Sequence, residues 1–387
     1  MAIIGIPREL TPGETRVALV PALVSTLTRE KHEVLVERGA GEAARFPDSE
    51  YQKAGATIVD GPTALYAKAE IIFKVQPPKA RLQGKPETDW LREGSTYVGF
   101  FAPLANPDVV AAFTKRRITA FSMEYIPRIT RAQSMDALSS MATVAGYKAV
   151  LLAAERMGKM FPMLMTAAGT VAPATVLVLG AGVAGLQAIA TARRLGAKVE
   201  AFDPRPAVKD QVKSVGAVFI EMEITENVET AGGYAKEQSE AFLLKEREVI
   251  GARLPRINAV ITTAQVFGKR APVLITEEMV RSMHPGSVIV DLAAEQGGNC
   301  ALTEAGKEVE HHGVLIIGAL NLPSTAPTDA SQLYSRNLIN LFRHLYPKAD
   351  ASPDFADEIV KGACITRNGE VVHEGVRTAL QQGGSRS

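Results

Sequence analysis

The stretch TVLVLGAGVAG, residues 175–185, joins a short apolar run to a glycine-rich turn. The run is uncharged and rich in valine and leucine, which is typical of a strand buried on both faces of a parallel sheet. A helical pattern at 186–195 follows the turn, and a second strand pattern at 198–202 ends on Asp203. This order of strand, turn, helix and strand predicts a Rossmann-type dinucleotide-binding unit.

Each glycine of the turn has a predicted role. Gly180 permits the tight turn, Gly182 lets the backbone approach a pyrophosphate, and Gly185 allows the helix to pack closely on the strand. The amide groups of Val183 and Ala184, at the helix N-terminus, favour an anion. The alternative is a purely structural glycine turn, with Asp203 capping a strand end.

Asp203 narrows the predicted cofactor to NAD(H). It lies 18 residues after Gly185, where an acidic side chain binds the adenosine ribose hydroxyls. A carboxylate about 4 Å from the 2′-phosphate of NADP, at an effective dielectric of about 20, opposes binding by about 4 kcal/mol, or roughly a thousandfold in affinity. Arg205 could accept that phosphate, but we interpret it as flanking the adenine.

The rest of the chain predicts an α/β fold with two Rossmann-like, doubly wound parallel-sheet domains and a cleft between them. A length of 387 residues favours two domains. Short apolar runs alternate with helical patterns throughout, as in right-handed βαβ units. We expect a discontinuous N-terminal domain, 1–136 plus 325–387, and an NAD(H)-binding domain, 137–324. The predicted strands are 3–6, 33–37, 57–59, 71–75, 97–101, 119–123, 175–179, 198–202, 217–220, 259–262, 287–291 and 314–317.

Composition and charge exclude several classes of protein. The formal net charge is +1, which does not favour a nucleic-acid binder. The 33 residues between Lys159 and Arg193 carry no charge, but proline and glycine interrupt them, so we expect a buried strand and no direct membrane insertion. Cys300 and Cys364 have neither metal nor redox spacing, which fits a reducing compartment. No metal site and no secretory signal are predicted.

Nearly the whole chain resembles the NAD(H)-binding component (the alpha-1 subunit, or domain I) of proton-translocating NAD(P) transhydrogenase. The related alanine dehydrogenases share the fold and some motifs, and are the rival family. The matching stretches are PRE at 7–9, PGETRVALVP at 12–21, FKVQPP at 73–78, PRITRAQSMDALSS at 127–140, FPMLMTAAGTVAPA at 161–174, GAGVAGLQAIATARRLGA at 180–197, ETAGGYAKE at 229–237, PVLITEEMV at 272–280 and DLAAEQGGNC at 291–300.

The resemblance implies roles for residues outside the glycine turn. Arg128, Gln133, Asp136 and Ser139 would surround the nicotinamide, the first three as the catalytic set, and Gln133 would reach toward a second nucleotide on a partner subunit. Charged Arg and Asp side chains can orient one another and a carboxamide. The alternative is a helix-entry loop with Ser134 as the cap and an Arg–Asp surface pair. Tyr234 would close a mobile loop over the nucleotide, and Ala264 and Gln265 complete the predicted binding set.

Other residues separate the two families. Alanine dehydrogenases move a proton as well as a hydride, which needs a general acid or base, most often histidine. In that family a histidine follows the strand corresponding to 96–99, where this chain has Phe100-Phe101, and an aspartate replaces Glu295. Arg16 and Lys74 are shared with the alanine dehydrogenases, where they hold the substrate carboxylate. Their role here is left open, and structural salt bridges are an equal alternative.

The resemblance therefore predicts a subunit of a Re/Si-specific, proton-translocating NAD(P)+ transhydrogenase. Hydride would pass directly between NADH and NADP(H) held by an NADP(H)-binding partner subunit, a reaction that needs aligned rings and no proton transfer. A membrane-spanning subunit would couple it to proton translocation. We expect a homodimer, cytoplasmic and peripheral on the cytoplasmic face of the inner membrane through its partners. Alanine dehydrogenase is the first alternative and a non-catalytic NAD-sensing module the second, although no effector segment is evident.

Overall fold

A computed structural model describes residues 1–79, 85–223, 239–266, 269–348 and 352–383. The chain divides into two compact units. Unit 1 comprises Met1–Met141 and Pro323–Ser387, and unit 2 comprises Ala142–Leu322. The predicted domain bounds differ from these by a few residues and stay a prediction.

Strands and helices alternate in both units. The strands are β1 (Ile3–Ile6), β2 (Glu33–Glu37), β3 (Thr57–Val59), β4 (Ile71–Phe73), β5 (Thr96–Gly99), β6 (Thr119–Ser122), β7 (Leu164–Thr166), β8 (Gly169–Val171), β9 (Thr175–Leu179), β10 (Lys198–Phe202), β11 (Val218–Phe219), β12 (Ala259–Thr262), β13 (Val288–Asp291), β14 (Glu308–His311), β15 (Val314–Gly318), β16 (Cys364–Arg367) and β17 (Glu370–Val371). The helices are α1 (Pro21–Arg29), α2 (Asp48–Lys53), α3 (Pro62–Lys68), α4 (Pro107–Lys115), α5 (Ala137–Arg156), α6 (Val183–Arg194), α7 (Lys209–Ser214), α8 (Glu240–Gly251), α9 (Glu277–Arg281), α10 (Pro327–Leu345), α11 (Glu358–Ala363) and α12 (Glu374–Gly383).

Unit 1 is built on an eight-stranded sheet with the order β17-β16-β6-β5-β4-β1-β2-β3. Strands β1 to β6 are parallel, and β16 joins β6 in the antiparallel direction. The C-terminal strands therefore complete the sheet that the N-terminal residues begin. Asn368 and Gly369 form the turn between β16 and β17, and both have positive φ, as in a two-residue β-hairpin loop.

Unit 2 is built on a seven-stranded sheet with the order β11-β10-β9-β12-β13-β15-β14. Every neighbouring pair is parallel except β14 with β15. The central strands β9, β12 and β13 are almost wholly buried, because helices cover parallel sheets on both faces. The predicted fold class is confirmed, with antiparallel strands at the edges.

Two helices of unit 2 pack at backbone distance. A Cβ added to Gly146 of α5 would lie 2.1 Å from the carbonyl oxygen of Ala184 in α6. No side chain fits between them, so the contact depends on glycine. The buried residues Ala149, Val150 and Ala153 of α5 continue into the core of this unit.

Within the described residues, α5 is the one helix long and apolar enough to cross a membrane by length and composition. It carries Lys148 and buries several residues in the core of unit 2. A core helix of a globular protein shows the same properties, so this helix alone is weak evidence for a membrane span.

Each unit contains one cysteine. Cys300 in unit 2 and Cys364 in unit 1 are both free thiols and both buried. Burial raises the pKa of Cys300 to about 11 and that of Cys364 to about 12. Neither thiol is therefore ionised at neutral pH.

The Gly146 contact generates a prediction about stability. Gly146→Ala should lower the free energy of unfolding by about 1–3 kcal/mol, because the new methyl group overlaps a backbone oxygen that cannot move without displacing α6. Urea unfolding followed by circular dichroism measures the change. Gly158→Ala is the matched control, since its Cβ meets nothing within 4 Å, and its effect should stay within about 0.5 kcal/mol. Equal effects of the two substitutions would contradict the packing argument.

Candidate functional site

The glycine turn follows β9 and has one position that protein packing does not explain. Gly180 has φ +94°, and a Cβ there would meet Thr263 Oγ1 at 2.6 Å. At Gly185 a Cβ would lie 1.8 Å from the carbonyl oxygen of Gly180. At Gly182, the residue before α6, a Cβ would meet nothing within 4 Å. The open space at Gly182 fits the close approach of a ligand, as in a pyrophosphate turn.

Helix α6 begins at Val183, three residues earlier than predicted, so Val183 and Ala184 form its first turn. No side chain caps this helix end. The first amide groups of a helix have no carbonyl partner within the helix, and its dipole is positive there. The turn therefore offers donors of the kind that bind an anion.

Asp203 follows β10 and is bonded to both the turn and its own neighbour. Its Oδ2 accepts the backbone N–H of Ala181 at 2.7 Å and Arg205 Nη2 at 2.8 Å. Its Oδ1 accepts the backbone N and the Nε of Arg205, each at 2.9 Å. The guanidinium of Arg205 forms a two-pronged ion pair with Asp203, because two residues after a strand end the side chain can fold back on the acid. Its predicted place beside the adenine stays a prediction.

A pocket of about 130 Å³ lies beside this acid. Asp203, Pro204, Pro206, Lys209, Phe219, Glu221 and Met222 line it. Its walls combine prolines and an aromatic ring with the Lys209–Glu221 ion pair, whose Nζ–Oε1 distance is 2.6 Å. The hydrogen bond from Lys209 and its charge lower the pKa of Glu221.

A buried carboxylate, Asp291, orders the loops that follow β12 and β13. It accepts hydrogen bonds from the hydroxyls of Thr262 at 2.8 Å and Thr303 at 2.7 Å. It also accepts the backbone N–H groups of Ala293, Asn299 and Cys300 at 2.7–3.1 Å. Five donors fully satisfy the charge at a site with no exposure to solvent.

Asn299, whose backbone N–H binds Asp291, also holds the loop after β12. Its Oδ1 accepts the N–H of Ala264 at 3.0 Å, and its Nδ2 donates to the carbonyls of Ala264 and Pro272, both at 2.8 Å. Gln265 Nε2 donates to the carbonyl of Leu292 at 2.8 Å. Asp291 and Asn299 were not predicted as site residues, although both lie in the matching stretch 291–300.

In unit 1 a pocket of about 430 Å³ lies in the loop before α5. All four residues predicted there line it, together with Pro127, Ile129, Thr130 and Ala132. Asp136 accepts the backbone N of Ser139 at 2.9 Å and its Oγ at 2.6 Å. Asp136, not Ser134, therefore caps α5. The predicted mutual orientation of Arg128 and Asp136 stays a prediction.

Helix α10 is hydrogen-bonded to the same loop. Asn337 and Asn340 each donate through Nδ2 to the carbonyl of Ser134 at 3.0 Å. Asn337 is buried and Asn340 is half-buried. Two donors on one carbonyl fix the short 3-10 helix Thr130–Met135 that presents Gln133.

Arg16 and Lys74 are buried in unit 1, and both are engaged in ion pairs. Arg16 binds Glu14 through Nε at 2.8 Å and Nη2 at 2.6 Å. Lys74 Nζ binds the two oxygens of Glu87 at 2.9 and 2.8 Å and lies 3.7 Å from Glu9. These contacts satisfy the structural alternative for both cations.

The pKa values of two buried acids in unit 1 shift in opposite directions. Burial raises the pKa of Glu9 to about 7, against the opposing charge of Lys74 and a hydrogen bond from Val75. Burial also acts on Glu14, but the hydrogen bond and charge of Arg16, with Gln76, lower its pKa to about 2.

The predicted residues therefore form two groups. Arg128, Gln133, Asp136 and Ser139 meet in the unit 1 pocket, and the glycine turn, Asp203 and Arg205 meet in unit 2. In unit 2, Thr263 Oγ1 donates to the carbonyl of Gly180 at 3.1 Å, which joins the turn to the loop of Ala264. Among the described residues, no histidine lines either pocket. Tyr234 lies outside the described residues.

Two family patterns cover most of the chain. Residues 5–145 match the N-terminal domain of the alanine dehydrogenase/PNT family, and residues 149–374 match its C-terminal domain.

Individual relatives point to one branch of that family. The chain is 50% identical over 377 residues to the first portion of NAD(P) transhydrogenase subunit alpha of Rhodospirillum rubrum, covering 96% of this chain and 97% of that one. The crystal structure of transhydrogenase from Sinorhizobium meliloti superposes with a TM-score of 0.85 at 43% identity, covering 95% of this chain and 99% of that one. Alanine dehydrogenase of Bacillus subtilis is 29% identical, covering 98% and 94%.

The buried acid Glu9 generates a prediction about pH. Its pKa is about 7 when folded, against 4.5 as the ordinary value, so the folded state binds the extra proton between these values. Stability should therefore fall as pH rises from about 4.5 to 7, by about 3 kcal/mol for this group. Glu9→Gln should remove that component of the unfolding free energy measured in urea at pH 5, 6 and 7.

The exposed Glu50→Gln substitution is the control and should keep the wild-type pH profile. Parallel profiles for Glu9→Gln and the wild type would show that Glu9 does not titrate in this window.

Proposed function

Because the chain belongs to the alanine dehydrogenase/PNT family, and within it to the NAD(P) transhydrogenase alpha subunits, we propose that it is the NAD(H)-binding component of a proton-translocating transhydrogenase. Hydride passes directly between NADH on this chain and NADP+ on a partner subunit. The observation that carries the proposal is the open position at Gly182, directly before the uncapped end of α6.

Unit 2 supplies the dinucleotide site. The amides of Val183, Ala184 and Gly185 bind the pyrophosphate, and the empty space at Gly182 lets it approach the backbone. Asp203 receives the ribose hydroxyls at the edge of the pocket lined by Pro204 and Phe219. Ala264 and Gln265 contact the nucleotide from the loop that Asn299 holds in place.

We assign to the pocket of unit 1 the groups that orient a nicotinamide. Arg128 and Gln133 offer donors for the carboxamide, and Ser139 is oriented by its two bonds to Asp136. Bound NADH supplies the hydride. The work of these side chains is to orient the ring and exclude water, so that the two nicotinamides reach a near-attack distance of roughly 3–3.5 Å. Gln133, exposed on its short helix, extends toward the second nucleotide.

The chemistry of the pockets favours this reaction over the oxidation of an amino acid. Amino-acid oxidation needs a general acid or base near the carbon that loses hydride, and transfer between two nicotinamides does not. In the part of the chain that the structure describes, no histidine lines either pocket. Arg16 and Lys74, the cations that would hold a substrate carboxylate, are instead neutralised by Glu14 and Glu87. A second carboxylate there would have to displace an internal one.

The partners follow from the proposed reaction. An NADP(H)-binding subunit provides the second nicotinamide, and a membrane-spanning subunit provides the proton path. This chain then lies on the cytoplasmic face of the inner membrane, attached through those subunits. Its contribution to coupling is conformational, through the alignment of the two rings.

A surface hairpin supports a homodimer. Among the described strands, β7 and β8 pair only with each other. Met165 and Val171 on this hairpin are 78% and 43% exposed, and Met163, directly before β7, is 56% exposed. An isolated two-stranded hairpin with an apolar surface is at best marginally stable in water. We assign the same hairpin of a second copy as its partner, because most soluble oligomers use the same patch on both subunits.

Hydride transfer between NADH and an NADP+ analogue in the presence of the NADP(H)-binding subunit tests the function. Gln133→Ala and Asp136→Asn should slow transfer at least about tenfold and change the NADH dissociation constant less than about threefold, because they disturb ring alignment more than binding. Asn at 136 keeps an acceptor for the Ser139 amide. Stopped-flow absorbance and NADH fluorescence measure the two quantities.

Ser134→Ala, an exposed change in the same loop, is the matched control and should leave both values unchanged. Weakened NADH binding with normal transfer would refute the assigned role of the loop. L-alanine is assayed in parallel with NAD+, and robust turnover by the isolated chain would replace the proposal with alanine dehydrogenase.

Disruption of the hairpin surface tests the homodimer. Met163→Lys with Met165→Lys should raise the dimer dissociation constant at least about a hundredfold, since it places two charges in an apolar contact. Sedimentation velocity over a concentration series measures the association. Leu244→Lys on α8, 57% exposed in the wild type, is the control and should not alter it. An unchanged dimer in the double variant would place the interface elsewhere.

A further inference from the structure

We propose that Arg205 is a specificity-determining residue, and that the Asp203–Arg205 ion pair, rather than Asp203 alone, sets the preference of unit 2 for NAD(H) over NADP(H). The inference rests on the proposed function, since it concerns the adenosine end of the same dinucleotide site. Arg205 cancels most of the repulsion that Asp203 would otherwise exert on a 2′-phosphate.

The carboxylate of Asp203 is almost fully hydrogen-bonded within the chain. Both oxygens of Asp203 bind Arg205, and one of them also binds Ala181, so the carboxylate receives four donors. The side chains of Asp203 and Arg205 are 3% and 15% exposed. Solvent screening is weak at this depth, and the two opposite charges act on a ligand as one nearly neutral group.

The pair therefore reduces the discrimination expected from a lone acid. An unpaired carboxylate about 4 Å from a phosphate disfavours it roughly a thousandfold. With a guanidinium bonded to both oxygens, the repulsive and attractive contributions largely cancel. The remaining preference for NAD(H) arises because Arg205 is already bonded to Asp203. A 2′-phosphate would bind Arg205 only by breaking that two-pronged ion pair.

Removing either partner should therefore move the specificity in opposite directions. Without Arg205, Asp203 presents its full charge to the 2′-phosphate. Without the charge of Asp203, Arg205 is released beside the ribose, where an arginine accommodates the 2′-phosphate of NADP. If Asp203 alone determined the specificity, loss of Arg205 would leave the NADPH/NADH ratio of dissociation constants unchanged.

Unit 2 contains a suitable control pair outside the pocket of Asp203. Arg156 and Glu308 form an ion pair that is 41% and 42% exposed, so solvent screens it more strongly. Removing both charges leaves the net charge unchanged and should alter the ratio of NADPH to NADH dissociation constants less than about threefold.

The experiment measures dissociation constants of NADH and NADPH by titration calorimetry on the full chain. Arg205→Gln should raise the NADPH/NADH ratio of dissociation constants at least about thirtyfold, and Asp203→Asn should lower it at least about thirtyfold. The double variant Asp203→Asn/Arg205→Gln should fall between the two. Asn at 203 retains an acceptor for the Ala181 amide, and Arg156→Gln/Glu308→Gln is the control.

Three results decide the matter. An unchanged ratio in Arg205→Gln, with NADH still bound, would overturn the inference while leaving the proposed function intact. A wild-type chain that bound no NADH would instead overturn the proposed NAD(H) site. If Asp203→Asn does not fold, the ratio in Arg205→Gln alone decides, because loss of the Arg205 side chain leaves the Asp203–Ala181 bond in place.

Discussion

The shared register of four parallel strands positions everything in the candidate dinucleotide site. Leu179, the last residue of β9, pairs with Phe202 on one side and with Thr262 on the other, and Thr262 pairs in turn with Asp291. The four strands thus end at one level, and their following loops meet at one edge of the sheet. The hydrogen bond from Thr262 to Asp291 fixes that level in a place where an unsatisfied carboxylate would be costly. A slip of one residue in any strand would separate the glycine turn from the loop of Ala264.

Much of this arrangement could be predicted from the sequence, because strands buried on both faces leave an unambiguous apolar run. Strands β9, β10 and β12 begin and end at the predicted residues. Strand β14 was missed because it is an exposed edge with the sequence EVEH, and β7 and β8 because a hairpin on the surface lacks a buried face. Side-chain partners were harder to predict: the sequence does not show that Arg205 forms an ion pair with Asp203, because that contact depends on the folded backbone after β10.

The buried cations of unit 1 and the first-turn amides of α6 in unit 2 differ in whether the chain itself supplies their partners. Arg16 and Lys74 each meet an acid of the same chain, so their charges are used in holding the fold. The sequence could not distinguish this from a substrate site, since the same cations at the same positions serve either purpose. The distinction lies in the acids, Glu14 and Glu87, and in their distances. In unit 2, by contrast, the amides of the first turn of α6 have no carbonyl partners within the helix.

Each of the two buried cysteines reports on the local unfolding of its own unit. A thiol with a pKa of about 11 or 12 inside a packed core reacts with alkylating reagents only when the surrounding structure opens, because the thiolate is the reactive form. Cys300 therefore registers openings of unit 2, and Cys364 registers those of unit 1. The rates at which the two become modified separate the local unfolding of one unit from that of the other, in an otherwise unaltered chain.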